Sequence, residues 1–126
     1  MTQQTLPAPD TVAHGGFRVT LNPAARSERD RAAVLAAPGF GAHFTDHMVL
    51  VDFSERNGWH DRRVVPYGPL PMDPAATALQ YGQEIFEGLK LYRHRDGHLR
   101  LFRPDMNARR FAASAAWLAL PAVPTG

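Results

Sequence analysis

Residues 78–93 read ALQYGQEIFEGLKLYR. A Tyr81-Gly82 pair, an apolar step at Ile85-Phe86 and a polar break at Glu87-Gly88 come first. Leu89, Lys90, Leu91 and Tyr92 then alternate. This pattern predicts a short helix or turn that feeds a half-buried strand. It gathers a phenol, a phenyl ring and a carboxylate around a glycine.

Downstream, Lys90 to Arg95, the pair Asp96-Gly97 and His98 to Phe102 predict a hairpin with Leu99 and Leu101 facing the core. Upstream, Pro66, Pro69, Pro71 and Pro74 mark a loop that cannot lie in a sheet centre. Before it, Met48 to Phe53 carries apolar residues on both sides and is expected as a central strand. Asn57-Gly58 is a hairpin turn signal, and Trp59 to Tyr67 returns as the partner strand.

Two helices are expected. Ser27 suits an N-cap, with Glu28 and Asp30 in the first turn and the apolar run from Ala32 to Leu35 ending before Pro38-Gly39. Asp105 is expected to cap a second helix that runs to Leu120 and stops at Pro121. Phe17 to Leu21 alternates like a short strand. Residues 1–16 are polar, hold Pro7 and Pro9, end in Gly15-Gly16 and are expected to form a flexible tail.

Composition narrows the function. The 126 residues suffice for one domain of ordinary size, and the hydrophobic fraction of 44% allows a sizeable core. The formal charge is +2, and the densest basic cluster, Arg93-His94-Arg95, is followed at once by Asp96. Neither nucleic-acid nor membrane-surface binding is expected. The first ten residues lack the basic start and apolar run of a secretory signal, and no apolar segment approaches membrane-spanning length. A cytoplasmic location is the expectation. Cysteine is absent, which excludes disulfides and thiolate chemistry within these residues. Of the 14 basic residues only Lys90 is a lysine, so lysine chemistry has a single candidate.

Three side-chain groups merit a chemical reading. His43, Asp46 and His47 could suggest a metal site, but Gly41 and the strand that follows speak against the helix their spacing would need. Phe40 stands between Gly39 and Gly41, where the backbone can pass close to another group. On the last helix, a wrap of 100° per residue places Met106, Phe111, Ser114, Trp117 and Leu118 on one arc with Arg110 inside it and Arg109 outside. An arginine in a buried arc needs an anion. That anion is either a carboxylate such as Glu87 or an anionic ligand, most naturally a phosphate. Pattern alone favours the carboxylate.

The segments GFGAHFTDHMVLVDF, NGWHDRRVVPYGPL, ALQYGQEIFEGLKLYR and RLFRPDMNARRFAASAAWLALP occur here in this order and spacing. Together they resemble the N-terminal part of the branched-chain amino acid aminotransferases, a family of fold-type IV pyridoxal-phosphate enzymes. The resemblance runs from about Phe17 to the end. FTDHM together with YxxxxFEGLK distinguishes this family from D-amino-acid transaminases and aminodeoxychorismate lyases, which share mainly the FEG and NxxR elements.

The resemblance implies an α+β fold, an antiparallel sheet built from hairpins with flanking helices, in residues 17–126. This is the small N-terminal domain of a longer homodimeric enzyme whose lysine-bearing C-terminal domain is absent from these residues. It implies transfer of an amino group from leucine, isoleucine or valine to 2-oxoglutarate with pyridoxal 5'-phosphate as cofactor. Arg110 matches the arginine that holds the cofactor phosphate. Tyr81, Phe86 and Phe40 match residues of the substrate pocket, with Tyr81 reaching across the dimer interface. Burying a branched side chain against such rings contributes roughly 1.5–3 kcal/mol.

Phe44, Phe53, Trp59, Phe102 and Trp117 are expected as core aromatics, and Glu87 as a structural partner at the turn without a catalytic role. Lys90 does not match the cofactor-bonding lysine, so residues 1–126 alone are expected to be inactive. A non-catalytic dimerisation module or remnant, and a D-amino-acid transaminase-like relative, stand as alternatives.

Overall fold

The computed structural model describes residues 11–124. The chain divides into two compact units, Met1–Leu70 and Pro71–Gly126. The first contains β1 (Thr11–His14), β2 (Phe17–Thr20), α1 (Glu28–Ala36), β3 (His47–Ser54) and β4 (Gly58–Pro66). The second contains α2 (Thr77–Tyr81), β5 (Leu91–Arg93), β6 (Leu99–Leu101) and α3 (Pro104–Trp117). The content is α+β, as expected.

In the first unit the four strands lie in the order β1-β2-β4-β3. β3 and β4 are antiparallel from His47 opposite Pro66 to Ser54 opposite Gly58. Gly58 closes the turn at φ 62°, a conformation that glycine adopts without steric cost. The register slips between Leu50 and Asp52, where Asp61 and Arg62 of β4 face the single residue Val51. Asp61 sits at φ 48° in this bulge, and its carboxylate accepts hydrogen bonds from Arg18 and Arg63 at 2.9 and 2.7 Å. Arg63 also donates to both oxygens of Asp52. β2 runs parallel to β4, with Arg18 opposite Arg63 and Val19 opposite Val64. This one pairing departs from an all-antiparallel sheet.

α1 is capped as expected. The Ser27 hydroxyl accepts from the Asp30 N–H at 3.2 Å and donates to Oδ2 of Asp30 at 2.7 Å. Three other expectations in this unit need correction. The tail expected over residues 1–16 becomes strand β1 at Thr11, because Gly15 and Gly16, at φ 55° and 78°, turn the chain back onto β2; residues 1–10 lie outside the described residues. β3 is an edge strand of the described sheet, not a central one, since β4 occupies the place between it and β2. Alternating apolarity reports burial on two faces, whereas hydrogen-bonding neighbours decide edge or centre. Pro66 ends β4 instead of lying in a loop, which a proline tolerates at a strand end.

In the second unit α2 ends at Gly82, whose left-handed conformation (φ 63°, ψ 28°) lets its N–H reach the Thr77 carbonyl. β5 and β6 form the hairpin expected around Asp96-Gly97, closed by the His94 N–H on the His98 carbonyl at 2.8 Å. It is shorter than expected, and its residues are exposed, Leu99 and Leu101 included. A two-stranded ribbon covers neither of its own faces, so alternation alone did not guarantee burial.

α3 begins two residues earlier than expected. Arg103 is its N-cap, in the left-handed region at φ 46°, Pro104 takes the first helical position, and Asp105 supplies negative charge to the first turn. The helix ends at Trp117, short of Leu120. Its inward residues include Ala108, Phe111, Ala112 and Ala115, the last only 1% exposed. Arg110 and Trp117 therefore lie outside the buried face. Small alanines let the backbone approach its neighbours, so the large apolar residues did not mark the centre of that face.

Candidate functional site

The FEG step opens the site. After Gly82 turns the chain out of α2, residues 82–90 cross to β5 without regular structure. Two groups of hydrogen bonds fasten them to α3. Gln83 Nε2 donates to the Leu118 carbonyl at 2.8 Å, beside the C-terminus of the helix. Asn107 Nδ2 donates to the Gly88 carbonyl at 2.7 Å and to Oε1 of Glu87 at 2.9 Å.

Asn107 and Arg110 stand three residues apart and so share a helix face. Both face Glu87. Arg110 Nε donates to Oε2 at 2.9 Å, and its Nη2 donates to Oε1 at 2.7 Å. Oε1 further accepts from the Gly88 N–H at 3.1 Å. The Arg110 hydrogen bonds, aided by that of Asn107, by the positive charge and by Gly88, hold the Glu87 carboxyl below its usual range against the effect of burial. Glu87 in turn raises the pKa of Arg110. The salt bridge that the pattern favoured is present, although Arg110 itself is exposed.

The pairing is side-on and engages only part of the guanidinium. Of its five N–H groups, the Nε hydrogen and one on Nη2 meet the carboxylate. Nη1 makes no hydrogen bond among the described residues. The end-on edge, formed by Nη1 and the second Nη2 hydrogen, is therefore available for another oxyanion. Arg110 also lines a cavity of about 610 Å³ together with Lys90, Tyr92, Phe102, Arg103 and Asn107. Three cations lining one cavity of the second unit favour an anionic guest.

The expected pocket residues are placed as follows. Tyr81 is the last residue of α2 and Phe86 precedes Glu87; their rings are 84% and 91% exposed. Phe40 belongs to the first unit, fully exposed between Gly39 and Gly41, which both have positive φ. None of the three takes part in a ring pair among the described residues. The ring pairs present are Phe44 with Tyr67, stacked at 5.0 Å, and Phe53 with Trp59, edge-on at 5.3 Å. Of the expected core aromatics only Trp59 is half-buried. Phe44 and Phe53, despite their ring partners, and Phe102 and Trp117 are exposed, because a thin sheet, a two-stranded ribbon and a helix end leave one side of each ring uncovered among the described residues.

Two of the three residues considered for a metal are engaged elsewhere. Asp46 accepts from Arg26 and Arg31 at 3.3 and 3.0 Å, and Nε2 of His47 accepts from the Asn22 N–H at 2.9 Å. The roles of Asn107 and Arg103 were missed from sequence. The i, i+3 spacing of Asn107 and Arg110 could have signalled the first; nothing local signalled the second.

No family model matches the chain. Individual relatives do. A probable branched-chain-amino-acid aminotransferase of Streptomyces coelicolor is 54% identical over 108 residues, 84% of this chain and 30% of that protein. A branched-chain-amino-acid aminotransferase of Mycolicibacterium smegmatis is 50% identical over 108 residues, covering 86% of this chain and 29% of its own length. Branched-chain-amino-acid transaminase 1 of Bacillus subtilis is 48% identical over 83 residues. The chain thus spans about three tenths of the length of the first two of these relatives. Over that span, the chain belongs to the branched-chain-amino-acid aminotransferase family.

Proposed function

We propose that these residues form part of an enzyme that moves the amino group of leucine, isoleucine or valine to 2-oxoglutarate with pyridoxal 5'-phosphate, working as a cytoplasmic homodimer. The identity of about half to named aminotransferases carries the reaction class. The cofactor reading is supported by the second unit's cationic cavity, whose chemistry suits a phosphate dianion. When bound, pyridoxal phosphate supplies the electron sink for amino-group transfer.

The chain's own contribution is to bind and to shape. The end-on edge of Arg110 grips the phosphate through two parallel N–H donors, while Glu87 keeps the opposite edge. Lys90 adds positive charge to the same cavity and forms no bond to the cofactor. Tyr81, Phe86 and Phe40 present rings exposed in this chain, and they gain by burial against a branched aliphatic side chain. Residues 1–126 by themselves carry out no transamination.

The test uses protein expressed from the complete reading frame. Leucine and 2-oxoglutarate should be converted to glutamate and the branched 2-oxo acid in the presence of pyridoxal phosphate. Arg110→Ala should weaken cofactor binding about tenfold to a hundredfold, the range for a hydrogen bond to a charged group. Unchanged cofactor affinity in Arg110→Ala would return Arg110 to a purely structural ion pair.

A further inference from the structure

We infer that Glu87 is a positioning residue, which holds the Arg110 guanidinium in the one orientation that turns its end-on edge to the cofactor phosphate. The inference rests on the reading of Arg110 as the phosphate ligand and extends it to a carboxylate that touches no reacting atom.

The geometry carries it. An arginine whose side chain is 59% exposed ordinarily samples many rotamers, and fixing it on binding an anion costs entropy. Here two N–H bonds to one carboxylate fix the plane of the guanidinium and the direction of its free edge. The carboxylate is itself immobile, because Asn107 Nδ2 and the Gly88 N–H hold Oε1 and its side chain is only 17% exposed. Asn107 also ties Gly88 to the helix through its carbonyl, so loop and helix hold Glu87 from both sides.

A carboxylate beside a phosphate site has an opposing effect, since its negative charge weakens the attraction for the phosphate. The two effects make opposite predictions for its removal. If orientation dominates, losing Glu87 weakens phosphate binding; if charge dominates, losing it strengthens binding.

The experiment measures dissociation constants for pyridoxal phosphate and for phosphate-free pyridoxal by tryptophan fluorescence, on protein from the complete reading frame. Glu87→Ala is expected to weaken pyridoxal phosphate binding roughly five- to tenfold, from the rotamer freedom returned to Arg110, with pyridoxal binding unchanged. Glu87→Gln retains one acceptor for Arg110 and nearly the native shape, so it should recover part of the loss. In an Arg110→Ala background, Glu87→Ala should produce no further change.

Equal or tighter pyridoxal phosphate binding in Glu87→Ala, with Arg110→Ala still weak, overturns the positioning role and leaves the phosphate reading standing. Equal weakening of both ligands overturns it too, as a general structural defect. Should Glu87→Ala fold poorly, the phosphate selectivity of Glu87→Gln decides the matter by the same criteria. An unaltered constant in Arg110→Ala alone would instead remove the phosphate reading itself.

Discussion

Three of the carboxylates held by arginine have their pKa lowered by the pairing: Glu87 by Arg110, Asp46 by Arg31 and Arg26, and Asp52 by Arg63. In each, hydrogen bonding to the arginine is the largest influence and lowers the pKa below its ordinary value. A carboxyl group whose pKa is lowered by folding binds its proton less readily folded than unfolded. Its contribution to stability is therefore complete above the unfolded pKa, near 4 for these side chains, and is lost as pH falls through the folded value. The urea midpoint should stay level from about pH 7 to 5 and drop below about pH 4. Asp46→Asn should flatten the drop, since Asp46 serves both Arg26 and Arg31 and its side chain is only 13% exposed. A midpoint that holds down to about pH 3 would show that these pairs contribute nothing to stability.

At the scale of elements, turns fix where strands pair. Gly58 stands at φ 62° with nothing within 4 Å of the position a Cβ would take. Gly58→Ala therefore meets no clash and reports backbone strain alone, about 1–2 kcal/mol of lost stability. Gly68 also has open space but no positive φ, so Gly68→Ala should be close to neutral. Equal midpoints for the two variants in urea denaturation would show that the β3–β4 turn tolerates a side chain. Most elements were legible at this scale. Ser27 capped its helix because its hydroxyl meets the Asp30 N–H, and both hairpin turns fell where Asn-Gly and Asp-Gly stand. Strand β1 was missed because Thr11–His14 carries no alternation of its own and is held by pairing with β2.

The whole chain exposes aromatic surface. Phe86, Trp117, Tyr81 and Phe102 of the second unit are 91%, 89%, 84% and 76% exposed. Exposed apolar surface of this kind marks a place where something else packs. Residues 1–126 alone should bind a hydrophobic dye such as anilinonaphthalene sulfonate and should self-associate as concentration rises in sedimentation velocity. Protein from the complete reading frame should bind less dye per chain. A monodisperse, dye-silent chain would mean that these rings are covered by rearrangement within the chain itself. The candidate site divides in the same way. Arg110 was singled out by an apolar arc that does not bury it, its side chain being 59% exposed, and by its place in the NxxR element of the resemblance. Glu87 was named as its partner but given no function, since nothing in the sequence shows which guanidinium edge a carboxylate takes.

The sequence by itself determined the family, the turns and the Ser27 helix cap, and it named a carboxylate such as Glu87 as one of two anions for Arg110. Each of these depends on residue identity and short-range spacing, which are written in the chain. Only the tertiary structure decided that Arg110 lies outside the buried face, that β3 is an edge strand of the described sheet, and that Asn107 and Gly88 lock Glu87 in place. Those outcomes depend on which segments, distant in sequence, meet in space, and one-dimensional periodicity carries no information about that meeting. The same division explains the free edge of Arg110, because its direction is fixed by a carboxylate 23 residues away.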